Sequence, residues 1–268
     1  MKKIYLIGLV IMSLIVSCKK EEKPVGNTPH VPSGGGTSQY DNIMYNAVAD
    51  VDGHLYDAVM IGNKIWMIQN LKTTRFANGE EIPMGSAEEF SDELPYCYAP
   101  DANPANIDKY GYLYNWSAVM HGENSSGANP SGVQGICPHG WHVPSKSEWS
   151  QLVTFVGTQS EHQCDGNYNN IAKALASTSG WQECSKQCAV GNEQSTNNST
   201  HFNACPAGLG GGNVNSNFGR DAYFWTCSES AIWTDLVLDF ELDYYSAVTY
   251  TGYGVHKHTA LSVRCVKD

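Results

Sequence analysis

Residues 135–149, Gly-Ile-Cys-Pro-His-Gly-Trp-His-Val-Pro-Ser-Lys-Ser-Glu-Trp, place Cys137, His139, His142 and Glu148 within a dozen positions. A thiolate beside an imidazole is how a nucleophilic cysteine is activated, and Cys, His and Glu are also zinc ligands. Either chemistry needs a free thiol and converging side chains. The local pattern gives these residues other work. Ser145-x-x-Glu148 is a capping box: the serine oxygen accepts a backbone N–H of the first turn, and the glutamate reaches back to the N-cap amide. Pro144 bars a helix upstream of the cap. Trp149, Leu152, Val153 and Val156 follow at i, i+3, i+4 and i+7, one apolar helical face, and Gly157 is expected to end it. His139 and His142 flank Gly140-Trp141 and do not share a helical face as the histidines of a His-Glu-x-x-His site do. The stretch reads as a turn that carries Trp141 inward and starts a helix.

Eight cysteines remain once Cys18 is set aside: Cys97, Cys137, Cys164, Cys184, Cys188, Cys205, Cys227 and Cys265. An even set in an exported chain reads as disulfides, but parity names no pair. His162, Cys164, Cys184 and Cys188 form His-x-Cys…Cys-x3-Cys, which zinc could use. Structural zinc sites favour Cys-x2-Cys knuckles, and thiols outside the cytoplasm are normally oxidised, so no metal and no cofactor is expected. Gly-x-Ser-x-Gly, His-Glu-x-x-His and glycine-rich phosphate loops are all missing from the sequence, which points to a non-catalytic protein. Trp233, Tyr244, Tyr245, Tyr250 and Tyr253 fall in or beside predicted loops. Exposed aromatics there provide rigid, amphipathic contact area, so these five are the expected ligand-binding residues.

The elements that must position these residues read as follows. Asp52-Gly53 is a turn, Leu55 to Ile61 a strand, Gly62-Asn63 a second turn, and Ile65-Trp66-Met67 the returning strand. Residues 78–108 are polar and interrupted by Pro and Gly, a long loop region. Residues 110–120, Tyr-Gly-Tyr-Leu-Tyr-Asn-Trp-Ser-Ala-Val-Met, predict a core strand or short helix, and 169–177 a second short helix. From residue 200 the chain reads as strands. In residues 235–243, Leu236, Leu238, Phe240 and Leu242 alternate with Asp235, Val237, Asp239, Glu241 and Asp243, a half-buried strand with an acidic outer face. Calcium takes oxygen ligands, but residues along one strand face do not by themselves close a coordination sphere.

Residues 1–17 carry two lysines and an apolar run, Ile4 to Val16, too short for a comfortable span and suited to a signal peptide. Leu14-Ile15-Val16-Ser17-Cys18 resembles a bacterial lipobox, which implies lipidation of Cys18. Lys-Lys-Glu-Glu-Lys-Pro follows, similar to the export tag of surface lipoproteins, and a Pro/Gly/Ser-rich tether continues to residue 44. These features imply an outer-membrane, lipid-anchored protein with its domain over 45–268. Net charge is −11, and the absence of a basic patch argues against nucleic acid as partner.

Several stretches together resemble the Fibrobacter succinogenes major paralogous domain of Bacteroidetes surface lipoproteins. They are Asp52–Lys72, Tyr110–Trp116, Gly135–Trp149, Phe202–Gly208, Tyr223–Ser230 and Leu261–Asp268. The resemblance implies an α+β, C-type-lectin-like fold related to formylglycine-generating enzymes, with short twisted antiparallel sheets, two helices and long loops. It also implies a Cys137–Cys265 disulfide. Cys205 and Cys227, departures from the family pattern, are expected to pair across neighbouring strands, with Cys97, Cys164, Cys184 and Cys188 pairing among themselves. The expected partner is a glycan or protein ligand. A structural envelope or fimbria-tip role shares the same features, and an oxidase or hydrolase lacks the motifs it needs.

Overall fold

The computed structural model describes residues 42–86, 88–89, 91–211, 215–233 and 235–268. Cys18, the signal segment and most of the tether lie outside the described residues. The first strands are β1 (Ile43–Ala49), β2 (Leu55–Ile61) and β3 (Lys64–Met67). They are followed by β4 (Cys97–Tyr98), α1 (Ile107–Tyr110), β5 (Leu113–Tyr114), α2 (Trp116–Met120) and β6 (Trp141–His142). Helices α3 (Lys146–Thr158) and α4 (Ala172–Leu175) precede β7 (Asp221–Glu229) and β8 (Leu236–Asp243). The last strands are β9 (Thr249–Thr251), β10 (Val255–His256) and β11 (Val266–Lys267). The architecture is α+β, with antiparallel strand pairs and few helices. Among the described residues no helix is long and apolar enough to cross a membrane.

One sheet has the order β1-β2-β3-β11-β6, so the strand latest in sequence lies between two early ones. The β2–β3 connection is the anticipated two-residue turn. Gly62 there has φ +66°, the left-handed region that favours glycine, and a Cβ on it would sit 3.2 Å from the Phe155 ring of α3, a tight contact that the ring would have to yield to. A second sheet runs β10-β8-β7, with β9 also on β8. Its two faces serve different cores. Ala222, Phe224, Phe240 and Leu242 join a cluster around Trp149 of α3, while Trp225, Cys227 and Val237 join a cluster with Tyr56, Met67, Tyr114 and Trp141.

Helix α3 begins as expected. Ser145 Oγ accepts from Glu148 N (3.3 Å), and Glu148 Oε2 accepts from Ser145 N (2.9 Å). Trp149 is fully buried, stacked on Phe240 at 4.2 Å and packed on Trp66 at 4.8 Å. Gly157 does not end the helix, which runs to Thr158. Its small size serves packing instead, since a Cβ would meet Tyr168 O at 2.8 Å. The second short helix covers only residues 172–175. Residues 201–208 form no extended strand. They are held by Phe202 in the core and an isolated bridge from Ala204 to Ala176.

The strand at 235–243 departs from simple alternation. Val237 is buried where Leu236 and Leu238 are only half-buried, and Asp239 on the expected outer face is 2% exposed. Register between β7 and β8 shifts between Trp225 and Glu229, and along that half of the strand the buried side is that of Val237 and Asp239 while Leu236 and Leu238 stay partly open to solvent.

Arg264 lies in the stretch leading to β11 and is fully buried. Its guanidinium donates to Asn70 Oδ1 (2.7 Å), Met67 O (3.1 Å), Phe202 O (2.6 Å) and Asn203 O (2.9 Å) and lies over the Phe202 and Phe224 rings. Burial lowers its pKa to about 9. One planar fork thus ties three chain segments, a task a lysine ammonium cannot copy.

Candidate functional site

The 135–149 stretch is a structural junction. Cys137 is bonded to Cys265, so it is not a thiolate. His142 is buried, with Nδ1 2.7 Å from Asp268 Oδ1 and Nε2 2.9 Å from Glu148 Oε1. Lys64 Nζ donates to the same Glu148 oxygen at 2.8 Å, and Ser131 N to Oε2 at 3.2 Å. Burial pulls the His142 pKa down, but the hydrogen bond and charge of Glu148, then those of Asp268, outweigh it and the net shift is upward. Burial pushes Glu148 up, and His142 and Lys64 more than offset this, leaving it lowered. His139 stands apart at the surface, paired with Gln134.

The remaining cysteines correct part of the expected pairing. Cys164 bonds Cys188, whereas Cys97, Cys184, Cys205 and Cys227 are free. Cys205 and Cys227 do not join, because they sit in different apolar clusters, Cys205 with Tyr110 and Leu113, Cys227 with Trp141 and Trp225. Burial raises the Cys97 thiol to about 12 and the Cys227 thiol to about 11, and raises Cys205, so these three are held as neutral thiols.

Among the described residues, two groups bring ligand-type atoms within 4.8 Å of one another: Cys164, Asp165 and Cys188, and Asp50, Asp52 and His54. In the first the sulfurs are joined to each other. In the second every member is engaged. Asp50 accepts from His54 N (2.9 Å) and Tyr56 Oη (2.6 Å) and contacts His54 Nδ1 at 2.9 Å. Asp52 Oδ2 accepts from Thr74 N, Thr74 Oγ1 and Thr73 Oγ1, and Oδ1 lies 3.0 Å from Arg75 Nε. This is a stapled turn.

The five aromatic residues expected to bind ligand are not one site. Trp233 (57% exposed) stands in the β7–β8 turn, at the start of β8. Tyr244 and Tyr245 follow its far end, and eight strand residues separate the two turns by roughly 25 Å. Tyr245 is exposed, with Lys186 Nζ 4.8 Å above its ring; Tyr244 is half-buried beneath the Arg220 guanidinium. Tyr250 is half-buried on β9 and packs 5.6 Å from exposed Tyr253 in the β9–β10 turn.

Tyr250 pairs with Glu241, which pairs with Tyr223; Asp221 pairs with Asp243 beside them. Burial raises Asp221 to about 6, assisted by Asp243. Burial raises Glu241 to about 7, assisted by Asp221, Asp239 and Asp243. A carboxyl with a raised folded pKa favours the fold while protonated and opposes it progressively as pH climbs from the unfolded value through the folded one. Solvent reaches part of Glu241 and screens it, leaving about 1 kcal/mol to recover. Glu241→Gln should therefore raise the melting temperature by about 2–4 °C near pH 8 and leave it unchanged near pH 4.5. Equal melts at both pH values would refute the crowding of these carboxyls.

Sequence reading missed a cleft of about 570 Å³ lined by Thr178–Trp181, Glu183, Cys184, Gly191, Glu193 and Gln194. Its position inside the loop carrying Cys184 and Cys188 is the available signal. Gln194 clamps Trp181, Oε1 accepting from Trp181 N (3.0 Å) and Nε2 donating to Trp181 O (2.8 Å). Gly191 N donates to Tyr244 O at 2.7 Å, which sets the cleft against the Tyr244–Tyr245 turn.

The family model described as Fibrobacter succinogenes major domain matches residues 59–267. The chain belongs to this family. The Fibrobacter succinogenes major domain thus takes in the capping junction, both disulfides, the buried Arg264 and all five loop aromatics, while β1 precedes the matched segment. No curated protein matches the chain, and no solved structure matches it either.

Proposed function

We propose that this chain is a non-catalytic, lipid-anchored surface protein of C-type-lectin-like fold that holds a glycan or protein ligand on its C-terminal loops. The observation that supports it most is the exposure of Trp233, Tyr245 and Tyr253, at 57, 53 and 68%. Elsewhere Trp66, Trp149, Trp225, Tyr56 and Tyr114 are almost wholly buried. Large aromatics left in solvent on turns braced by a well-packed sheet are suited to recognition. Short antiparallel sheets joined by long loops are consistent with the lectin-like reading. The three buried thiols, held protonated, favour a role without catalysis.

A glycan and cell-surface binding screen tests the reading. Trp233→Ala and Tyr253→Ala should each weaken capture about ten-fold or more, the scale of an exposed aromatic anchor, with melting temperature held within about 2 °C. A large drop in melting temperature would place these rings in the core. Unchanged binding would remove them from the contact surface. Cys18→Ala should release the protein from the membrane fraction; retention there would refute the anchor.

A further inference from the structure

We infer that Asn78-Gly79 is a self-modification site, where the Gly79 amide nitrogen attacks the Asn78 side chain, expels ammonia and leaves an acid at position 78 once water has opened the ring. Asn78 is the one asparagine of the chain that precedes a glycine. At every other asparagine a side chain or a proline ring follows and crowds the attacking position.

The turn brings the reacting atoms together. Phe76 N donates to Glu80 O (2.9 Å) and Gly79 N to Phe76 O (2.8 Å), a three-residue hairpin loop that continues into the Arg75–Glu81 bridge. Gly79 has φ +91°, and among the described residues no heavy atom lies within 4 Å of where its Cβ would stand. Asn78 and Gly79 are both exposed, so water and base reach them. Glu80 N donates to Asn78 Oδ1 at 3.0 Å, closing an Asx turn whose ring contains both Asn78 Cγ and the Gly79 nitrogen. That N–H also polarises the side-chain carbonyl and stabilises charge on its oxygen as the nitrogen adds, as an oxyanion hole does. Gly79 N–H must first leave Phe76 O. The bond it breaks closes the tip of an exposed loop, where local opening costs least.

The step balances with water as the sole co-reactant. Gly79 N gives its proton to solvent base and bonds Asn78 Cγ. The Cγ–Nδ2 bond breaks, and Nδ2 takes up a proton and departs as ammonia. Water then adds to either carbonyl of the cyclic imide. One opening gives aspartate. The other gives isoaspartate, whose main chain runs through the former side chain and is longer by a methylene.

The neighbours of Asn78 give the change a consequence. Asn78 Nδ2 donates to Glu80 Oε2 (2.9 Å), and His121 Nε2 lies 3.0 Å from the same oxygen, its ring stacked on Phe76 at 3.7 Å. The Asn78 hydrogen bond, then that of His121, holds the Glu80 carboxyl below its usual value. Conversion replaces this donor by a carboxylate facing Glu80, so a supported turn becomes a self-repelling one. Isoaspartate also lengthens a loop whose two sides are pinned in the core by Phe76 and Ile82, each 3% exposed.

Timed incubation of the full chain in detergent at mildly alkaline pH, read by peptide mapping and by enzymatic methylation of isoaspartate, tests this. Acid should form at position 78 about ten-fold faster or more than at any other asparagine, as a mixture of aspartate and isoaspartate. The rate should climb with pH, because the attacking nitrogen must lose its proton. Asn78→Gln should stay unconverted over the same period, since its ring would be larger and closes more slowly. Conversion at Asn124, Asn198 or Asn215, which precede serine, as fast as at Asn78 would overturn the assignment. So would conversion at Asn78 in the urea-unfolded chain with none in the folded one, which would show that the turn protects the site. Aspartate without isoaspartate would mean direct hydrolysis and would overturn the attack by Gly79.

Discussion

Glu148→Ala is expected to lower the unfolding free energy by about 3–5 kcal/mol, the range for breaking a buried ion pair by removing one partner. Glu148 is fully buried and receives Lys64 Nζ, His142 Nε2, Ser145 N and Ser131 N. Truncation strands an ammonium that is 12% exposed and two backbone amides, and removes half of the capping box. Adding Lys64→Met should recover part of the loss, because the uncompensated charge is then gone. A chemical-denaturation series should show this order; a single-variant effect below about 1 kcal/mol would reduce the network to surface decoration. The pH response follows from the two shifts. His142 has a raised folded pKa, so its contribution is whole below about pH 6.5 and fades as pH rises through the folded value. Glu148 has a lowered one, so its contribution is whole above about pH 4.5 and fades as pH falls through the folded value.

Loss of the Cys137–Cys265 bond should rival that effect. The bond spans 128 residues, and in the chain-entropy model a loop of that size contributes about 5 kcal/mol, reduced by whatever structure the unfolded chain retains. The Cys164–Cys188 bond, spanning 24 residues, contributes about 3.5 kcal/mol on the same reckoning. Cys137→Ala/Cys265→Ala should therefore melt below Cys164→Ala/Cys188→Ala, and reductant should lower the wild type toward the doubly deficient protein. The reverse order of melting would mean that local packing at residues 164–188 outweighs loop closure.

What could be read from the sequence was what short-range physics decides. The Ser145–Glu148 box, the Gly62-Asn63 turn and the inward Trp149 are each settled by residues within a few positions, and each stands where the spacing puts it. Asp239 was misread because period-two alternation assumes one wet face, and whether that face is covered is decided by residues distant in sequence, such as Tyr114 and Trp116, which cluster with Trp225, the β7 residue paired with Asp239. Cys205 and Cys227 looked like partners from their places in the family pattern, yet the chain between them puts the two thiols in separate clusters. The cleft at 178–194 is held by side chain–backbone contacts of Gln194 and Asn197 and by the Cys164–Cys188 bond, none of which leaves a periodic trace.

The placement of β11 between β3 and β6 bears on how the chain is made. A polypeptide emerging from the ribosome has β3 and β6 long before β11, and until β11 arrives those two strands have no common neighbour. The guanidinium of Arg264 and the sulfur of Cys265 arrive at the same late moment. The nascent chain therefore lacks the piece that closes its sheet, ties its segments and locks its junction for most of its synthesis. Such a topology delays compaction and favours slow, non-local closure.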